Sequence, residues 1–161
     1  MTSTVLPATA TTSPATAADA ATTRVRPLWQ VLGASGLVAA LATTGLVAGA
    51  KAIDIPMVAG PRSDAAGRII PTAGFFTGTL MFAVIGLAIA AGLARWAKSP
   101  ARTWTVTTVV LTAISLAGPA STGHASTATY VVLFATHVVG AALVIPVVAR
   151  NLAARGPRHS A

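Results

Sequence analysis

TYVVLFATHVVGAALVIPVVAR (129–150) decides the fold. The stretch carries no formal charge until Arg150, at its last position. At a rise of about 1.5 Å per residue, a helix of about 20 residues crosses a hydrocarbon core roughly 30 Å thick. The stretch shows no sustained polar/apolar alternation, and a barrel strand would need only about 10 residues to cross. A helix pairs every backbone group within itself, which lipid demands and which outweighs the low helix propensity of its many valines.

Three further stretches meet the same criteria, so spans are expected at about 28–50, 69–94, 103–122 and 126–149. The composition agrees. Of 161 residues 54% are hydrophobic and only 9% are charged, against about 25% charged in soluble domains. The mean hydropathy is +0.75. Such a chain takes the lipid bilayer as its solvent. The third span is the most polar, with Thr103, Thr105, Thr107, Thr108, Thr112 and Ser115. Hydroxyls of this kind are tolerated when they bond to backbone carbonyls or to a neighbouring helix. Pro119, near the far end, bends or ends that helix.

Direction follows from the basic residues. Arg24, Arg26, Arg95, Lys98, Arg102, Arg150, Arg155 and Arg158 fall on one side of the spans, and Lys51, Arg62 and Arg68 on the other. The richer side is expected in the cytoplasm, with both termini, in the cytoplasmic membrane. Trp29, Trp96 and Trp104 mark the same ends of their spans, and Tyr130 the opposite end of span four. Indole and phenol rings favour the headgroup level, so all four are expected as interface anchors. The net charge of +8 belongs to this topology signal. It is not organised with aromatic residues as a nucleic-acid platform, and no nucleic-acid partner is expected.

The segment 1–27 is rich in Thr, Ala and Pro and is expected to be a disordered cytoplasmic tail, because it lacks the large apolar residues that offset chain ordering. Its first 23 residues contain no basic n-region and no continuous apolar run, unlike a secretory signal. The transmembrane domain is expected over 28–149 and a short basic cytoplasmic tail over 150–161. RWAKSPARTW (95–104) is expected as a tight hairpin between spans two and three. The longest connection, 51–68, contains Pro56, Gly60 and Pro61 and is expected as a solvated surface loop, with a substrate lid as the alternative; its IDIPMVAG (53–60) is apolar enough to dip into the interface.

Gly45 and Gly49 on span one, and Gly74 and Gly78 on span two, form GxxxG patterns. Glycine at this spacing flattens a helix face and admits another backbone. Packing of the two spans on each other is the expectation, and a seam between two copies the alternative.

Trp29 opening the first span, SPARTWTVTTVVLTAISLAGP (99–119) forming the third, and ATYVVLFATHVVGAALVIPVVARNL (128–152) with His137 and Pro146 together resemble a family of uncharacterised four-helix integral membrane proteins of high-GC bacteria, classed as a domain of unknown function. The resemblance runs from about Pro27 to Leu152. It implies architecture and no activity. The fold class expected is therefore all-α: an integral membrane four-helix bundle with antiparallel neighbours and a disordered N-terminal tail.

One histidine lies inside a span. His137 is 13 residues from Arg150, and Ser115 is 13 residues from Arg102 on the adjacent antiparallel span, so the two share a depth. An imidazole and a hydroxyl can each donate or accept. His137 and Ser115, or Thr112 a turn away, are expected to satisfy each other as an intramembrane polar pair. The rival reading makes His137 a proton relay or ligand, but no Asp, Glu, Lys or Arg lies inside a span to serve as its partner. The absence of cysteine removes disulfides and thiolate chemistry. No paired carboxylate, His-rich cluster or catalytic triad pattern is present, so no catalytic residue, metal or cofactor is expected. The function expected is a structural or interaction component of the membrane, with a second copy or another membrane protein as partner. The alternative is a small transporter or channel-like oligomer using His137 and the span-three hydroxyls.

Overall fold

A computed structural model describes residues 25–155. The tail expected to be disordered lies outside the described residues up to Arg24, as does the basic tail beyond Arg155. Four helices are long and apolar enough to cross a membrane. They are α1 (Leu28–Ala52), α2 (Thr72–Trp96), a third made of α3 (Pro100–Ser115) and the short α4 (Ala117–Ser121), and α5 (Thr127–Ala153). The molecule is an all-α integral membrane four-helix bundle.

Helix ends follow local chemistry. Pro27, Pro71 and Ser99 precede the first three long helices. Pro100 opens α3, where its missing N–H costs nothing. Ser126 caps α5, its Oγ accepting from Thr129 N at 3.1 Å, which satisfies one orphan donor of the first turn. The third span is broken at Leu116, because Pro119 has no N–H to offer the carbonyl of Ser115. Pro146 sits inside α5, which continues past it to Ala153. The first residues of the expected C-terminal tail, 150–153, are therefore helical.

α1 packs extensively on both α2 and α5, and α5 also packs on α3, so α1 and α5 are central and α2 and α3 flank them. Accordingly α1 buries Leu32, Ser35, Gly36, Ala39, Ala40, Thr43, Val47 and Ala50, whereas α2 buries only Ala90. The other inward residues of α2, among them Phe75, Leu87 and Leu93, are only half-buried against the cores, and its outward face exposes Met81, Phe82, Val84 and Ile85, as lipid allows. Two core clusters result. One joins Val47, Ala50, Val132 and Leu133 with Met57 and Ala59 of the 53–71 connection. The other joins Leu32, Ala90, Trp104, Val148 and Leu152 at the end rich in basic residues.

The 53–71 connection differs from the expected solvated loop. Its β1 (Val58–Ala59) and β2 (Arg68–Ile69) pair antiparallel. Gly60 then bridges Gly123 on the other connection at that end. Met57 is only 2% exposed and Ala59 8%. Residues 55–59 are apolar enough to fold back onto the bundle, and the segment becomes a cap.

Candidate functional site

Most interior hydroxyls of the bundle bond to carbonyls of their own helix. His137 Nδ1 hydrogen-bonds the carbonyl of Leu133 one turn back, at 2.8 Å. A carbonyl only accepts, so Nδ1 carries the proton. Ser115 Oγ donates to Thr112 O at 2.7 Å, and Thr112 Oγ1 to Thr108 O at 2.8 Å. The expected His137–Ser115 or His137–Thr112 hydrogen bond is not formed among the described residues. A hydroxyl inside a helix reaches its own i−3 or i−4 carbonyl without moving a neighbouring helix, and this local bond wins. Thr105 and Thr108 behave likewise, donating to Ala101 O at 3.0 Å and Trp104 O at 2.7 Å.

One interhelical hydroxyl contact lies elsewhere. Thr43 Oγ1 and Thr79 Oγ1 stand 3.2 Å apart between α1 and α2. They belong to a seam of small residues that the GxxxG patterns did not indicate. A Cβ on Gly36 would come within 2.7 Å of Ala83 Cβ, so this is where the backbones of α1 and α2 approach. By contrast, a Cβ on Gly45, Gly49 or Gly78 would meet nothing within 4 Å, and one on Gly74 only Pro71 Cγ at 3.7 Å. The expectation that these glycines join α1 to α2 is therefore corrected. The helices meet at Gly36 and Thr43, on a face from which the GxxxG glycines point away. The run GASG (33–36) was the available signal, masked by the abundance of Gly and Ala.

The aromatic residues divide. Trp29 is 63% exposed and Trp96 79%. Trp104 is 2% exposed, its indole N–H donating to Ile145 O at 3.2 Å. It fills the core between α2, α3 and α5 and is not available as an interface anchor. Tyr130 donates its hydroxyl to Thr122 O at 2.6 Å, tying the start of α5 to the end of α4.

The densest polar network is in the cap, which the sequence did not single out. Lys51 Nζ donates to Ile70 O and Thr72 Oγ1, at 2.9 and 3.0 Å, closing α1 onto the start of α2. Arg62 donates to Thr122 O and Ala120 O, at 3.4 and 3.3 Å. His124 Nε2 bonds Asp64 O at 3.0 Å, with its own backbone at φ 61°. Thr129 Oγ1 donates to Pro56 O. These contacts close the end of the bundle. An open depression beside Arg62, between Ala59, Ile70 and Thr122, lacks the convergent polar groups of a ligand site. Among the described residues, no group of three or more His, Asp or Glu is placed to hold a metal ion.

A family model described as "Family of unknown function (DUF6069)" matches residues 23–154, and the chain belongs to that family. No curated protein and no solved structure matches it.

Proposed function

For a member of this family of unknown function, we propose a structural or interaction role in the cytoplasmic membrane, exerted through association of its helices. The observation that supports it most is where the interior polar atoms are spent. Thr105, Thr108, Thr112 and Ser115 each donate to a carbonyl of their own helix, and of the third span's hydroxyls Thr107 alone makes no hydrogen bond among the described residues. A conduit instead needs polar groups free to take over a solute's hydration contacts. The outward glycines support the same reading. Gly45 and Gly49 leave a flat strip on α1, and flat strips let a second helix approach closely. The partner is a second copy of the chain or another membrane protein. The basic end faces the cytoplasm on this reading, with both termini there.

One observation favours transport as the alternative. With Nδ1 held by Leu133 O, a neutral imidazole presents the lone pair of Nε2, for which no hydrogen bond is seen among the described residues. That is the arrangement of a proton relay or ligand nitrogen. Reconstitution separates the two. The purified protein in vesicles containing a pH-sensitive dye should leak protons no faster than empty vesicles. In native membranes, Gly49→Cys should form intermolecular disulfides faster than Ala88→Cys on the exposed face of α2. A proton flux abolished by His137→Gln would shift the assignment to transport. Equal crosslinking at the two positions would remove self-association through the α1 strip.

A further inference from the structure

We propose that the basic end of the bundle binds the headgroup of an anionic phospholipid at the α2–α3 hairpin, with the acyl chains lying on the exposed apolar faces of those helices. α1 and α3 begin at this end, and α2 and α5 finish there. The topology thus gathers Arg26, Arg95, Lys98, Arg102, Arg150 and Arg155 at one end of the molecule. The two described carboxylates, Asp54 and Asp64, are both in the cap region at the other end, where Asp64 stands 3.8 Å from Arg68. No described side chain therefore neutralises the basic end. Its geometry is held in part by the backbone, since Arg155 and Asn151 both donate to the carbonyl of Arg26, at 2.9 and 3.0 Å.

The hairpin is the part of this end that meets lipid. Arg95, Lys98 and Arg102 are exposed on it. Between them, the ring of Trp96 folds back over Gly92, where a Cβ would come within 3.3 Å of it. The indole therefore lies along α2 toward the apolar side, as helical side chains lean toward the helix N-terminus. Beyond it, α2 exposes Val84 and Ile85, and α3 exposes Val106 and Val110. A cationic shelf directly above apolar helix faces is complemented in both parts by a molecule with an anionic head and apolar tails. A soluble anion would match only the shelf. Each basic residue near an anionic membrane surface strengthens attachment by about fivefold.

Native mass spectrometry tests this on protein released from bilayers of equal phosphatidylglycerol and phosphatidylcholine. Phosphatidylglycerol should be retained in preference by about tenfold or more. Arg95→Gln and Lys98→Gln should each reduce that preference by about fivefold, while Arg68→Gln in the cap, with the same loss of charge, should leave it unchanged. Equal retention of the two lipids by the unaltered protein would overturn the proposal. An equal loss from Arg68→Gln would do so too, by reducing the effect to net charge. So would displacement of the lipid by soluble glycerol phosphate at matched concentration, which would make the site one for free phosphate.

Discussion

Trp104 and His137 show what a sequence conveys about single residues in a membrane protein. Both depths were legible, because depth follows from counting residues to a charged end. Their surroundings were not, because a tryptophan near a span end suits either the headgroup layer or the core. Trp104 is the largest fully buried side chain, and its removal should be felt. Trp104→Ala should lower stability in a detergent unfolding titration by about 3 kcal/mol, the lower end for buried Trp, since the vacated surface is compared with lipid and not with water. Trp104→Phe keeps most of the volume but loses part of the ring as well as the bond to Ile145, which together should cost about 1–2 kcal/mol. Equal losses would mean that the hydrogen bond, and not the packing, holds α3 to α5. His137→Leu should cost under about 1 kcal/mol, because the carbonyl of Leu133 retains the helical N–H of residue 137. A loss of several kcal/mol would place a partner on Nε2.

The glycines carry the same lesson at the level of helices. A GxxxG pattern states that a helix has a flat face without stating what lies on it. Gly36 and Gly49 are one such contrast within α1. Gly36→Ala sets two Cβ atoms 2.7 Å apart, and since neither belongs to a flexible side chain, α1 and α2 must separate. Its melting temperature should fall, and Ala83→Gly in the same chain should restore most of the loss. Gly49→Ala puts its methyl into open space and should be neutral or raise stability by up to about 1 kcal/mol through helix propensity alone. A large destabilisation by Gly49→Ala in detergent monomers would mean that the α1–α2 register is wrong. The third span adds a case that was legible. Pro119 announces a disruption, and the helix breaks where that proline's missing N–H leaves the carbonyl of Ser115 unpaired. The cap was hidden for the opposite reason. Its bonds run mostly to backbone carbonyls, as with Arg62 to Thr122, and carbonyls have no sequence signature.

For the molecule as a whole, the solvent explains which half of the architecture could be read. In water a helix announces its inward face by an apolar stripe. In lipid both faces are apolar, so the stripe vanishes: α2 runs from Leu80 to Ala94 without a polar side chain and buries only Ala90. Span number and all-α class were therefore legible from length and charge, while the order of packing, with α1 and α5 central, was not. Charge also separates the two ends. Exposed Arg95, Lys98 and Arg102 crowd the α2–α3 hairpin, and Asp54 and Asp64 dilute the basic residues of the cap. The positive-inside tendency predicts the hairpin in the cytoplasm and the cap on the far side. The natural chain has no cysteine, so a single introduced thiol reports its own side of the membrane. Ser99 in the hairpin and Ser63 in the cap are both exposed and suit this use. In intact cells, a membrane-impermeant thiol reagent should label Ser63→Cys at once and Ser99→Cys only after the membrane is permeabilised. The reverse pattern would invert the topology and move the lipid shelf to the outer leaflet. Equal labelling of both before permeabilisation would mean that the chain inserts in two orientations, and that the cap's two carboxylates are enough to balance the basic end.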